Sequence, residues 1–578
     1  MIGINYRKSI MNVNPFLLTD FYKLTHILQY RPELRELTSY LTPRGSRLKG
    51  VDKVVFFGLS AYVHSYIVEN FRENFFRRNF EYCECEIREV LELGLGYSDE
   101  MIDRTINAFR ALHELGYLPV EINAVPEGTL VPMGVPCLEI KSTDPQFFWV
   151  GQALEASLSA AIWHPMVSAT IAREYRKIAR GAFFATVENG IDERTAMCDF
   201  SMRGQESNES AVNASVAWLT SMWNSSTVAA RKHIKDVYTK LSTRDKMKNT
   251  IVRGLTSTEH SVMTSHACLD GGDEIPTFKY LFDLYKNVSF AAVCDSYDFW
   301  NVLTNILPNN FMKEIDERGS RGVFIGVRHD SAEPVDALCG IPVVEENKYV
   351  HYISKCVPHN LPNGLKKKYL VLNPKGKDYI ATWDNIYGRW ETEHRPRTWE
   401  EKGMVETMYE IFGGTVNSKG YKVLNPGIKA VYGDSITITR AKKIYSRLAA
   451  KGFAANNVSL GVGSFSFQAL ENEDGTLSPF TRDTFSVCVK CSHSKYCDEN
   501  GTVCERHVFK DPKDFSGKKS QKGLCRIFFN EDGELTYEDE LYEADLVGKN
   551  SALVPYFKNG QEFKQNFETI RETIDENL

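Results

Sequence analysis

Four apolar, strand-like runs in this chain end in polar residues. SFAAVCD ends at Asp295, GVFIGVRHD at Arg328-His329-Asp330, KAVYGD at Gly433-Asp434 and VSLGVGS at Gly463-Ser464. A fifth short apolar run, AMCDF, leads into DFSMRGQES. There Phe200 can stack on a flat ring and Arg203 can hold a phosphate through two parallel hydrogen bonds. STEHS sets His260 beside Glu259, and a histidine with a carboxylate neighbour can accept a proton or a phosphoryl group. WNSSTVAARKH opens a helix at Ser225, Ser226 and Thr227. Hydroxyls and free N–H groups at such a start favour an anion, although capping alone explains each of them. Arg482 and Lys490 share one face of a strand-like segment, TRDTFSVCVK, by their even spacing. Lys510, Lys513, Lys518, Lys519 and Lys522 follow. Basic residues collected in this way suit a polyphosphate, and equally an ordinary charged loop.

These groups need a scaffold that collects strand ends. In a parallel α/β barrel, reactive side chains sit where strands finish and βα loops begin. One site built from the four ends is the reading, against ordinary turn chemistry at each of them. Residues 52–79 are aromatic-rich and helical in pattern. Residues 117–142 are rich in Val, Pro and Gly and predict short strands with turns, and Ala-rich helical sequence follows at 151–186. Residues 339–402 look inserted, as a surface excursion or lid-like hairpin, and the acidic stretch 531–545 reads as solvated surface.

The chain has 578 residues, 43% hydrophobic and 25% charged, which excludes a mostly disordered, collagen-like or coiled-coil protein. With 69 basic and 75 acidic residues the net charge is −6, so no global field holds nucleic acid or an anionic membrane. No apolar run is long enough to span a bilayer, and the N-terminus lacks the pattern of a signal peptide. Thirteen cysteines are too sparse for a disulfide framework. A soluble cytoplasmic protein is expected. Cys488, Cys491, Cys497 and Cys504, with His493 and His507, resemble a zinc ribbon, but their spacing is irregular. No P-loop and no dinucleotide-binding glycine fingerprint is present in the right context.

NPFLLTDFYKLTH, VPEGTLVPMGVP, DFSMRGQES, STEHSVMT, CDSYD, RHDSAEP, GGTVNSKGYKVL, YGDS, TRDTF and FKDP occur in this order. In that order the chain resembles the nicotinamide phosphoribosyltransferases and their relatives among the nicotinate phosphoribosyltransferases, from about residue 12 to the end apart from the insertion. The resemblance implies an α/β fold: an irregular TIM-like barrel over 166–480, plus a mixed α+β domain built from both chain ends, 1–165 and 481–578. It implies a homodimer with shared sites and transfer of a phosphoribosyl group from 5-phosphoribosyl 1-pyrophosphate to nicotinamide, giving nicotinamide mononucleotide and pyrophosphate in NAD biosynthesis, with nicotinate as the alternative acceptor. It also implies Mg²⁺ at the pyrophosphate, and ATP acting through a phosphohistidine.

By the same resemblance, Phe200 stacks on the pyridine, and Tyr22 covers its other face from the partner subunit, with Asp20 beside it. Arg203 and Arg328 meet the pyrophosphate, and His260 is phosphorylated. Asp295 lies near the ring and the reacting ribose. His329, Asp330, Gly433 and Asp434 make ribose and nucleotide contacts. Gly463, Ser464 and Arg482 form the 5′-phosphate site, and Lys490 and Lys518 reach phosphate from the other subunit. These types suit the chemistry. Displacement at an anomeric carbon develops a sugar cation that carboxylates stabilise, and the departing pyrophosphate needs cations.

The sequence departs from the family at three places. Ser226 stands where amide-specific members carry an aspartate, and a serine there can hydrogen-bond a carboxylate, as in the nicotinate enzymes. Gly463-Ser464 replaces a glycine pair, and Cys488 replaces a serine. Two other readings stay open. One is a barrel hydrolase using Asp295 and Asp330 as a carboxylate pair. The other is a non-catalytic relative that binds partners through 339–402 or a zinc module.

Overall fold

The computed structural model describes residues 13–239, 253–345, 367–372, 378–384, 387, 389–433, 435–472, 475–511 and 520–578. Its centre is a parallel sheet of seven strands: β1 Met197–Asp199, β2 Asn224–Ser225, β3 Thr256–Ser257, β4 Phe290–Val293, β5 Ile325–His329, β6 Ile428–Tyr432 and β7 Val458–Val462. The order across the sheet is β2-β1-β7-β6-β5-β4-β3. β4 to β7 are nearly continuous apolar runs because helices cover the sheet. These helices include Asn208–Trp218, Leu307–Ser320 and Ile438–Ala450. The two edges also meet. Ser225 N–H donates to the Arg253 carbonyl at 3.1 Å and Arg253 N–H to that of Trp223 at 3.3 Å, just before β3.

A second sheet draws strands from both chain ends. Leu34–Pro43 is the third of its seven strands, flanked by Val487–Cys497 on one side and Leu138–Ser142 on the other. The 32-residue helix Glu155–Thr186 links the two sheets. Its Thr170 hydroxyl accepts the Val55 N–H at 3.0 Å, and its Tyr175 hydroxyl donates to the Ile436 carbonyl at 2.8 Å. The C-terminal helix Phe567–Glu576 is fastened by Arg571, whose Nε donates to the Leu219 carbonyl at 2.7 Å.

The segment 339–402 differs from a lid-like hairpin. Its described part holds a four-stranded sheet, Val343–Glu345, Lys367–Leu372, Tyr379–Asp384 and Arg389–Glu393. Glu401 pins this sheet, accepting from Lys368 at 2.8 Å and from both terminal nitrogens of Arg395 at 2.8 Å. Hydrogen bonds from Arg395, with burial opposing, hold the Glu401 carboxyl down to about 2. Among the described residues no helix is long and apolar enough to cross a membrane.

Candidate active site

The C-terminal ends of the parallel strands converge. At the end of β5, Arg328 grips Asp330 through two bonds, Nε to Oδ1 at 2.9 Å and Nη2 to Oδ2 at 2.6 Å. The same guanidinium lies 6.0 Å from the centre of the Phe200 ring, which follows β1. Phe200 is fixed by its N–H, which donates to the Val462 carbonyl of β7 at 2.8 Å. Two glycines make room. A Cβ at Gly461 would stand 2.6 Å from Phe200 Cδ2, and one at Gly433 would strike Arg328 Nε.

Asp295, past the end of β4, is the other carboxylate of this mouth. Its Oδ2 accepts the Asp330 N–H at 2.9 Å and the Ser331 hydroxyl. Its Oδ1 is buried without a hydrogen-bond partner and faces His260 Nε2 at 3.8 Å. Burial pushes the Asp295 carboxyl up. Hydrogen bonds from Ser331 and the Asp330 N–H, with His329 and His260 nearby, outweigh it and hold the group below the usual range. His260 Nδ1 lies 3.3 Å from the Ser296 hydroxyl, and the side chain is 49% exposed. Asp330 is held by Arg328, so it is not the free partner of Asp295 that a hydrolase pair of these two would need. His329 packs inside, its ring 4.1 Å from that of Phe299 at 81°. Burial lowers its pKa against the pull of Asp295 and Asp330.

Asp199, which the motif reading passed over, organises the other side. It is fully buried. Its carboxylate accepts from Ser201 N–H at 2.8 Å, Ser215 Oγ at 2.5 Å and Ser225 Oγ at 2.8 Å. Its backbone carbonyl accepts both the N–H and the hydroxyl of Ser226, at 2.9 and 3.0 Å. Arg203, on the single turn Met202–Gly204, is exposed and forms no ion pair among the described residues. Gly463 and Ser464 end β7, and Ser464 lies against Gly204, where a Cβ would strike its hydroxyl.

A second basic cluster sits on the antiparallel sheet. Burial raises the Cys488 thiol while Arg44, Lys490 and Arg482 pull it back, and the turn after Leu34–Pro43 is tied to the Arg482 segment by the Arg47 N–H, which donates to the Thr484 carbonyl at 2.8 Å. Thr42 pairs with Cys488 and Tyr40 with Lys490, so strand register brings Arg44 here. Arg44 Nε is buried with no hydrogen-bond partner. Lys490 stands 4.0 Å from Glu155, which also pairs with Lys23. Next to Lys23, Tyr22 is 56% exposed, and Asp20 precedes its helix as an exposed residue making no side-chain cap. Arg482 pairs with Asp483 at 3.1 Å. Among the described residues no hydrogen bond or ion pair joins Arg482 to Gly463 or Ser464. Asp434 and Lys518 lie outside the described residues. Among the described residues no group of three or more His, Cys, Asp or Glu is placed to hold a metal, and His493 is bound to Glu505 at 2.9 Å. The zinc module finds no support there.

The mouth thus offers an aromatic face, an arginine with no ion pair among the described residues, a forked arginine, a buried carboxylate oxygen that accepts no hydrogen bond and an accessible histidine. Comparison with known proteins gives the same direction. The nicotinate phosphoribosyltransferase (NAPRTase) family model matches residues 195–541, and the model of the nicotinamide phosphoribosyltransferase N-terminal domain matches residues 14–83. A nicotinamide phosphoribosyltransferase of Acinetobacter baylyi is 30% identical over 98% of this chain and 98% of its own. One from Xanthomonas campestris is 26% identical over 97% and 98%. A crystal structure of nicotinate-nucleotide pyrophosphorylase from Pyrococcus furiosus is similar with TM-score 0.48 and 13% identity, over 99% of this chain and 97% of that one.

Proposed function

We propose, because this chain belongs to the nicotinate phosphoribosyltransferase family and is a phosphoribosyltransferase, that it joins nicotinamide to 5-phosphoribosyl 1-pyrophosphate. The products are nicotinamide mononucleotide and pyrophosphate, a step of NAD biosynthesis. The observation that carries the reading is the Asp295 carboxylate, whose Oδ1 accepts no hydrogen bond and faces His260, at one mouth with the Phe200 ring and the Arg328–Asp330 fork. Phe200 holds the pyridine flat and keeps its nitrogen aimed at the sugar carbon. As the C–O bond to pyrophosphate breaks, positive charge grows on the ribose, and the Asp295 carboxylate stabilises it. Arg328 and Arg203 take the charge of the departing pyrophosphate.

The remaining parts come from a second copy. In one chain Tyr22 is exposed, and its neighbour Lys23 shares Glu155 with Lys490 of the basic cluster, with Lys518 following in sequence. In a two-fold dimer that cluster closes the mouth of the partner's sheet, supplies the second aromatic face and binds the sugar phosphate. Closure also excludes water from the activated sugar. In this reading the seven parallel strands form an irregular barrel within 166–480, and 1–165 with 481–578 make the mixed domain.

Mg²⁺ fits the same mouth. An orphaned carboxylate oxygen with no protein cage suits an ion that is bound by one carboxylate and substrate phosphates, so Asp295 would hold it. When bound it would neutralise charge on the pyrophosphate. His260, exposed beside Asp295, takes a phosphoryl group from ATP, and the enzyme works in the cytoplasm. The test is side-by-side turnover of nicotinamide and nicotinate with the same ribosyl donor, with and without ATP. Mononucleotide and pyrophosphate in equal amounts are expected, with the amide preferred. Release of free ribose 5-phosphate in their place would overturn the reading.

A further inference from the structure

Arg203 makes no ion pair among the described residues, so its direction comes from the backbone that carries it, the single turn Met202–Gly204. That turn is anchored in front. The Ser201 N–H donates to Asp199 Oδ1 at 2.8 Å, and the Phe200 N–H to the Val462 carbonyl at 2.8 Å. Behind, it is held by a side chain from far along the sequence: Gln468 Nε2 donates to the Gly204 carbonyl at 2.7 Å. A carbonyl oxygen only accepts, so the amide NH₂ must face it. Gln468 also closes the turn Ser464–Phe467 that follows β7, its own N–H donating to the Phe465 carbonyl at 3.0 Å. The two turns touch, since a Cβ on Gly204 would strike Ser464 Oγ. Across the short hairpin of Ala469–Glu471 and Leu477–Pro479, the Gln468 carbonyl accepts the Phe480 N–H at 2.7 Å, two positions before Arg482. One glutamine thus joins three segments that carry anion-holding groups.

We infer that Gln468 is a positioning residue for the ribosyl donor: it sets Arg203, which meets the pyrophosphate, at a fixed spacing from the Gly463-Ser464 turn, which meets the sugar phosphate. The inference rests on the function proposed above. The donor carries charge at both ends, and both ends are held together only when the two turns keep the spacing of the substrate. A misplacement of an ångström at such a group is costly to the reaction. The Arg203 side chain has no protein partner to correct its aim, so the backbone latch decides it. Gln468 itself touches no substrate: its amide is committed to Gly204 and its main chain to Phe465 and Phe480. Phe200 is anchored separately, on Val462, and the pyridine face does not depend on the latch.

The test replaces Gln468 by leucine, which keeps the apolar stem and removes the amide. Gln468→Leu should lower kcat/KM for the ribosyl donor roughly fivefold or more, the scale of one hydrogen bond. The KM for nicotinamide and the melting temperature should stay at their wild-type values, a split that general loosening of the fold would not give. Gln468→Glu keeps the reach but, ionised, cannot donate, and it should match Gln468→Leu at neutral pH. In an Arg203→Ala background the leucine change should cost the donor nothing further, because no guanidinium is left to position. Wild-type kinetics in both single variants would overturn the inference. So would an equal rise in the two KM values, or losses from Arg203→Ala and Gln468→Leu that simply add. Each of these outcomes leaves the transferase reading intact. A wild-type enzyme that forms no mononucleotide from either pyridine would overturn both readings.

Discussion

Gly433 runs so close to Arg328 that one added carbon would strike Nε and come within 2.6 Å of Asp330 Oδ1. The glycine is there for contact: the end of β6 must pass the Arg328–Asp330 fork, and a side chain would push the fork away. Gly433→Ala should therefore leave the fold intact, since the change sits at an open strand end. It should lower kcat/KM for the ribosyl donor by about a hundredfold, the scale expected when a charged group moves by an ångström. Steady-state kinetics beside a thermal melt would check this. A normal kcat/KM would mean that the fork does not hold the pyrophosphate.

His260 faces Asp295 Oδ1 with Nε2 and Ser296 with Nδ1, and half its surface is open. An imidazole so placed can accept a phosphoryl group without displacing any core contact. His260→Ala should keep most of the transfer seen without ATP and lose its stimulation by ATP. Acid-labile phosphate should disappear from the protein in the same variant. Stimulation that survives the change would remove His260 from the energy-coupling role.

The strand-end residues were legible because apolar runs ending in charge carry their own signal. Asp295, Arg328, Asp330 and Gly433 needed no long-range knowledge. Asp199 ends β1 in the same manner, yet its importance lies in three buried donors from residues up to 26 positions away, which no local pattern reports. Arg44 was harder still. Its place beside Arg482 depends on Leu34–Pro43 pairing with Val487–Cys497, a register set by sheet packing across most of the chain. The segment 339–402 was legible as an excursion but not as a sheet: a hairpin needs two strands, and the described part has four, held in part by Glu401 through Lys368 and Arg395.

Glu274, at the start of the helix Ile275–Leu284, has a buried Oε1 without a hydrogen bond. Burial, followed by Asp273 and Asp298, raises its carboxyl from 4.5 to about 7. The folded protein then keeps this proton at pH values where the unfolded chain has lost it. Stability from this group is complete below about 4.5 and drains away as pH rises toward 7. Glu274→Gln removes the titration. The variant should melt close to wild type at pH 4.5 and clearly above it at pH 8. Melting curves at the two pH values decide the matter, and a gap that is the same at both would rule out a proton held by Glu274.

Shared sites make a prediction that a self-contained chain cannot imitate. Arg328 and Phe200 stand at one sheet's mouth, whereas Lys490 stands on a strand of the other sheet of the same chain, Arg44 just past the end of its neighbour strand and Tyr22 on the helix Phe21–Gln29. If a two-fold dimer joins one chain's mouth to the partner's cluster, Arg328→Ala and Lys490→Ala each damage both sites. Mixing the two variants after reversible dissociation gives about half heterodimers by chance. Each heterodimer gathers both lesions in one site and leaves the other intact, so about a quarter of wild-type activity should return. If each chain built its site alone, every site in the mixture would carry one lesion and no activity would return. Titrating the mixing ratio separates the cases: recovery should peak at equal amounts and vanish toward either pure variant. No recovery at any ratio would mean that each chain builds its own site, and activity that simply rises with the share of Lys490→Ala would place Lys490 outside the reaction.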